Sequence, residues 1–255
     1  NAGRLCRAHG KTSFATGKYA VSTLITNSNK VIRQHTGAVC CRADFSRYTN
    51  LQDNTVITLS KAALKAASRF APKNDIRYYM IGVYVQATAT ETRLIATDGH
   101  TMLIHRSKAE NTHTWDGIIP LDTVQAILKH KSPYEKKGNH LPIELTETGA
   151  ECRINYAGQA FIFKPIDGKF PDYTRVVPKT ISGEAACYQT DYLQRVNDAA
   201  IDLGNAKQAG FAMGYNGPGA ALCHINDDCL AIVMPLRQDM IPVGPAGFDW
   251  ARTAP

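Results

Sequence analysis

Asp98 and His100 flank Gly99 in the stretch RLIATDGHTMLIHR, residues 93–106, with an apolar run on each side. An acid beside an imidazole is the material of general acid–base chemistry, in which the carboxylate orients the ring and the ring moves a proton. Such a pair also needs a nucleophile or a substrate atom within hydrogen-bond reach, and adjacency in sequence supplies neither. The same residues meet a simpler demand. Asp-Gly between two apolar runs is a strong hairpin signal, because both residues tolerate the positive φ of a tight turn. The stretch therefore reads as a turn, and His100 as part of a wall rather than a catalyst.

Other chemistry-bearing patterns are sparse. The sequence has no G-x-S-x-G and no H-E-x-x-H, and Thr16-Gly17-Lys18 lacks the upstream glycines of a phosphate loop. His100 and His105 would share a metal only if both faced the same side of a strand, and no thiolate or carboxylate set accompanies them. The seven cysteines (Cys6, Cys40, Cys41, Cys152, Cys187, Cys223, Cys229) include no C-x-x-C pair and predict reduced, mostly buried thiols. GAVCCRADF alternates like a strand that turns one of Cys40 and Cys41 inward and the other outward. No catalytic residue, cofactor or metal is expected, and the chain does not read as an enzyme.

Several repeated elements must position the turn. From residue 55 onward a unit recurs every 60 to 70 residues: an extended apolar segment, a capping residue, one short amphipathic helix, then three strands. Thr55 to Leu59 leads to Ser60 as N-cap, and the helix from Lys61 to about Phe70 turns Ala63, Ala67 and Phe70 inward. GIIPL, residues 117–121, leads to Asp122 as cap, with Val124, Ile127 and Leu128 on the buried side. AACYQ, residues 185–189, opens the third unit, capped at Thr190 or Asp191, with Leu193, Val196, Ala200 and Leu203 inward.

Strands are expected at YYMIGVYVQAT, RLIAT and TMLIHR after the first helix, and at LPIELTE, ECRINY and AFIFKPI after the second. Three more, near QAGFAMGY, AALCHIN and CLAIVMPL, follow the third, punctuated by NGPG and NDD. The plan is α+β, with antiparallel sheets packing one face against helices. Residues 1–54 carry strand-like SFATGKYAVSTLIT, KVIRQ and GAVCCRADF without a helix, and read as a degenerate half-unit that would cover the unpaired third unit. The segment beyond Arg237 is Gly/Pro-rich and loop-like.

The formal charge of +7 suits an anionic partner without demanding one. No apolar run approaches the ~18 residues of a membrane span, and the chain reads as soluble and cytoplasmic.

Four strings in order now carry a resemblance: DIRYYMIG (75–82), ATDGH (96–100), DGKFPDYTRVVP (167–178) and VMPLR (233–237). Together, with helices between them, they make residues 55–237 resemble the bacterial DNA sliding clamp, the β subunit of the replicative polymerase. The resemblance implies the DNA clamp fold, repeated β-α-β-β-β units with sheets outside and helices inside. It divides the chain into residues 1–54, a complete clamp domain at 55–180, a half-domain at 181–237 like the end of the last clamp domain, and a tail at 238–255. The chain departs from the usual three-domain subunit.

The function implied is a processivity factor that encircles duplex DNA as a homo-oligomeric ring, without sequence specificity. It would bind linear peptides of polymerases and the clamp loader. The alternative is a non-encircling paralogue that acts as adaptor or competitor through its groove. The resemblance carries that groove onto Met80, Thr97, Gly99, His100, Met102, Pro171, Arg175, Val176, Ile232, Met234, Pro235, Leu236 and Arg237. Methionines adapt to varied apolar anchors, and arginines hold acidic or carbonyl groups. Thr101 stands where the family commonly has arginine. Gln238-Asp239-Met240-Ile241 loosely resembles such a peptide and would compete for the groove.

For DNA, Lys61, Lys65 and Arg69 fall at i, i+4 and i+8 on the first helix, a basic stripe expected to face away from the core. The third helix, with Asp191, Asp198 and Asp202 around Arg195, is a poor DNA wall. Arg77, Tyr78 and Tyr79 lie where the resemblance implies contact with DNA leaving a ring, the tyrosines by stacking.

Overall fold

The computed structural model describes residues 56–131, 141–206 and 210–237, all within one compact unit. The strands expected before residue 55, Cys6, Cys40, Cys41 and the tail from Gln238 lie outside the described residues.

β1 (Ile57–Leu59) leads through Ser60 into α1 (Lys61–Ser68). Ser60 is the N-cap that the sequence predicts: its hydroxyl accepts from the Ala63 N–H at 3.4 Å, satisfying one of the amides that a helix start leaves unpaired. One 3-10 turn (Tyr78–Met80) follows, in place of the strand start that YYMIGVYVQAT suggests. Then come β2 (Gly82–Ala87), β3 (Glu91–Thr97) and β4 (Thr101–Lys108).

The second unit repeats the order. β5 (Trp115–Pro120) runs directly into α2 (Leu121–Lys129), followed by β6 (Ile143–Thr148), β7 (Glu151–Tyr156) and β8 (Gln159–Phe163). Pro120, not Asp122, holds the cap position and makes no side-chain capping bond. Asp122 sits in the first turn, where its charge still complements the helix dipole.

The third unit has α3 (Thr190–Asp202), β9 (Ala212–Gly214), β10 (Ala221–Asn226) and β11 (Cys229–Val233), but no opening strand. AACYQ is largely exposed and takes one backbone bond from a distant segment, the Leu236 N–H donating to Cys187 O at 2.8 Å; just ahead of it the Gly217 N–H donates to Glu184 O, also at 2.8 Å. A strand needs a ladder of such bonds, and this segment lies along no sheet edge that supplies one.

Two antiparallel sheets result, ordered β1-β6-β7-β8 and β5-β2-β3-β4-β11-β10-β9. The first two units exchange their opening strands: Ile57 faces Leu145 across β1 and β6, while Tyr84 faces Ile118 across β2 and β5. Neither unit can bury its sheet without the other. The third unit is welded on where β11 pairs with β4, Val233 opposite Thr101 and Ile232 opposite Met102.

Strand alternation sends side chains to two cores. One lies under the helices and joins Leu64, Phe70, Val124, Ile127, Val196, Leu103 and Ala231. Ala63, Ala66 and Ala67, all fully buried, are small enough to let α1 approach the sheets closely. The other lies on the opposite face of the long sheet, where Phe170 and Tyr173 cover Ile95, Met102, Ile118 and Ile232. Phe170 stacks on Tyr84 with ring centroids 4.7 Å apart.

Candidate functional site

Asp98 and Gly99 turn the β3–β4 hairpin. Gly99 has φ +90°, which a residue with a Cβ resists, and an added Cβ would come within 3.0 Å of Arg77 Nη1. Asp98 Oδ1 accepts from the N–H groups of His100 (2.9 Å) and Thr101 (2.7 Å) and from Thr101 Oγ1 at 3.0 Å. The carboxylate is therefore committed to the turn on one oxygen and to an Arg195 ion pair on the other. Burial pushes its pKa up, but Arg195 and the Thr101 and His100 amides outweigh that and hold it below the ordinary carboxylate range. Thr97 Oγ1 completes the tip, donating to Thr101 O at 2.8 Å and accepting from the Gly99 N–H at 3.1 Å.

The chain leaving β11 runs along this tip, the Met234 N–H donating to His100 O at 2.9 Å. A cleft of about 180 Å³ forms there on the outer face of the sheet. Met80, Thr97, Met102 and Ile232, all buried, make its floor. Gly99, His100, Pro171, Val176 and Met234 make its walls, together with Arg77, Tyr79 and Thr101. Met234 is 37 % exposed and Val176 39 %, so the apolar walls are open to solvent.

A second cleft of about 620 Å³ adjoins it and shares Gly99, His100 and Met234. Its further walls are the extended segment at Glu184, Ala185 and Ala186, the loop at Pro218, Tyr192 of α3, and Pro235, Leu236 and Arg237. His100 stacks on Tyr192, centroids 6.1 Å apart and planes within 12°. The His100–Met234 ridge thus divides one groove into a small apolar compartment and a larger one with Glu184 and Arg237 on its lining.

Twelve of the thirteen residues expected in the groove line one compartment or the other. Arg175 does not. It stands on the 3-10 turn Tyr173–Arg175, is 84 % exposed and pairs with Asp172 at 3.1 Å. Sequence reasoning passed over Glu184 and Tyr192 as groove residues, and Arg195 as the partner of the turn. Tyr192 and Arg195 sit three apart on α3, hence on one face, but no local pattern says that this face meets a hairpin tip from another unit.

The basic stripe expected on α1 faces outward only in part: the Lys65 side chain is 52 % exposed and that of Arg69 33 %. Lys61 is 9 % exposed; its ammonium donates to Tyr156 OH at 2.9 Å and to His130 O at 3.1 Å, over the Tyr156 ring. Lys65 pairs with Asp202 at 2.7 Å, and Arg69 with Asp202 at 2.5 Å and Asp198 at 3.0 Å. Each four-residue step along a helix rotates by roughly 40°, so i to i+8 drifts by about 80° and carries Lys61 to the edge of the core. The acids of α3, two of them set against α1, take up the other two cations.

Arg77 pairs with Asp75 at 2.7 Å and also donates to Asp98 O at 3.2 Å, lining the small cleft. The Arg77 hydrogen bonds hold the Asp75 carboxyl down at about 2. Tyr79 is half-buried in the cleft wall, whereas Tyr78 is 58 % exposed beside the fully exposed Ile76. The buried thiols have little nucleophilic character: burial pushes Cys223 and Cys229 up to about 12 and Cys152 to about 11. Among the described residues no helix is long and apolar enough to cross a membrane.

Residues 56–172 match the family model described as DNA polymerase III beta subunit, central domain. The beta sliding clamps of Salmonella typhimurium and Escherichia coli K12 are each 29 % identical to the chain over 175 residues, 66 % of this chain and 46 % of theirs. The chain thus spans about half the length of the curated relatives it matches. Among solved structures, the DNA polymerase sliding clamp of Pseudomonas aeruginosa with ligand superposes with TM-score 0.56 at 18 % identity, over 72 % of this chain and 66 % of that one. The DNA polymerase III beta subunit of Thermotoga maritima superposes with TM-score 0.53 at 16 % identity, over 76 % and 69 %. These structures share the fold of repeated β-α-β-β-β units.

Proposed function

We propose that this chain, whose residues 56–172 match the central domain of the DNA polymerase III beta-subunit family, is a clamp protein of DNA replication. It receives short linear peptides of its polymerase and clamp loader in the groove at the hairpin tip, and holds duplex DNA without sequence preference as a homo-oligomeric ring. The observation that carries this reading is the groove: an open apolar compartment beside a larger, mixed one, on a rigid sheet seam. Exposed apolar clefts are costly unless something fills them, and a compartment of about 180 Å³ suits one or two apolar side chains.

The peptide would enter extended, its apolar anchors in the small compartment and its polar residues between Glu184 and Arg237. Tyr78, exposed, would stack on a base of the DNA. Titration of a fluorescein-labelled clamp-binding peptide tests the groove. Saturable binding is expected, and Met234→Asp with Pro235→Ala should weaken it at least tenfold, about 1.4 kcal/mol. Equal binding by the double variant would remove the groove from the function. Light scattering tests the ring, which requires a mass above that of the monomer.

A further inference from the structure

Arg195 lines neither compartment of the groove, yet its contacts end on residues that shape both. Nη1 pairs with Asp98 Oδ2 and donates to Thr101 Oγ1 at 2.8 Å. The guanidinium lies over the Tyr192 ring, with Cζ 5.6 Å from the centroid, close enough for the aromatic face to hold a cation. Tyr192 stacks on His100, whose carbonyl accepts from the Met234 N–H at 2.9 Å. The same Cζ is 6.0 Å from the ring centroid of Phe70, which is fully buried.

A guanidinium suits this place as an ammonium does not, because its flat faces stack while its N–H groups form directed hydrogen bonds. One side chain thus serves the ring and the turn together. The turn itself does not need it: Asp98 Oδ1 caps the His100 and Thr101 amides without Arg195. What the ion pair adds is a fixed separation between the hairpin tip, which carries His100, and α3, which carries Tyr192. The threonine at 101, where the family commonly has arginine, fits this arrangement, since its short hydroxyl accepts from an arginine supplied by α3.

We propose that Arg195 is a positioning residue of the peptide groove. By holding Asp98 and Tyr192 at once it sets the His100–Met234 ridge, and with it the shape of both compartments, without touching the peptide. This rests on the peptide-binding function above. A surface already fixed in its bound shape binds more tightly, because the cost of ordering it is not charged to the ligand.

The test is a double-mutant cycle on the affinity of the full chain for the fluorescein-labelled clamp-binding peptide, measured well below the lowest melting temperature of the set. Arg195→Leu should weaken binding about fivefold or more. Asp98→Asn keeps an oxygen for the turn amides and also lies outside both compartments; it should weaken binding to a similar degree. The double variant should lose no more than about twice what either single variant loses, because both changes break one tie, whereas independent effects multiply. In the peptide-free protein, the 13C-methyl signal of Met234 should move in both single variants while that of Met213 stays, a displacement that a general loss of stability does not produce. Parental affinity in Arg195→Leu, losses that multiply in the double variant, or an unmoved Met234 overturns the inference and leaves the groove standing. If Arg195→Leu does not fold, Asp98→Asn carries the test, and parental affinity there overturns the inference. Failure of the parent to bind the peptide overturns the peptide-binding function and this inference with it.

Discussion

Arg195 of α3 grips the carboxylate of Asp98 at the tip of the β3–β4 hairpin and also donates to Thr101 Oγ1 at 2.8 Å. One guanidinium thereby ties the third unit to the turn that shapes the groove, at the position where the resemblance places an arginine on the hairpin itself. The side chains of Asp98 and Arg195 are 16 % and 27 % exposed, so removing one leaves the other poorly solvated. Asp98→Asn should cost about 1–3 kcal/mol in urea unfolding. The folded-state pKa of Asp98 is lowered, so this contribution is present above the unfolded value near ~4 and is lost as pH falls through the folded one. The gap between parent and variant should therefore close in acid.

Gly99→Ala should cost about 1–2 kcal/mol, since φ +90° is strained for alanine. Its Cβ would also press on Arg77 at 3.0 Å, so Arg77→Ala in the same chain should return part of the loss in thermal unfolding.

His105 is buried on β4 with no hydrogen-bond partner for Nδ1 among the described residues, and burial lowers its pKa. The unfolded chain then takes up a proton that the folded chain refuses. Stability from this residue is complete above the unfolded value near ~6.5 and is lost as pH falls through the folded one. His105→Leu should flatten the pH dependence of the melting temperature below about 6.5, at little cost near pH 8, because an apolar group replaces an unpaired polar one.

Asp202 is the meeting point of Lys65 and Arg69, with its side chain 6 % exposed. Asp202→Ala should destabilise the fold by about 1–3 kcal/mol through the two cations left behind. Asp202→Asn, which keeps an acceptor for Arg69, should cost less in the same unfolding experiment.

Signals confined to one element were legible in the sequence. ECRINY is β7 from end to end, Ser60 caps α1, and Asp98-Gly99 turns its hairpin, because alternation, capping and turn chemistry are local. Relations between elements were not. Lys65 and Asp202 are far apart in sequence, and the pattern that marks α3 as acidic does not say that its acids reach α1. The opening strand of the third unit failed for a related reason: AACYQ has a strand-like composition, but a strand exists only if an edge pairs with it. Most of the groove came through the family resemblance, residue by residue. Arg175 was carried over as well, yet its side chain turns to Asp172 and away from both compartments.

The central claim, that the groove receives a peptide, is tested most directly on the methionine methyl groups. With 13C-methyl methionine in the full chain, addition of an unlabelled clamp-binding peptide should move the signals of Met80, Met102 and Met234, which line the small compartment. Met213, on the short strand β9 and outside both compartments, should stay in place. Saturating shifts at those three methyls with Met213 unmoved are the predicted result; unchanged spectra at millimolar peptide, or shifts led by Met213, would contradict the account.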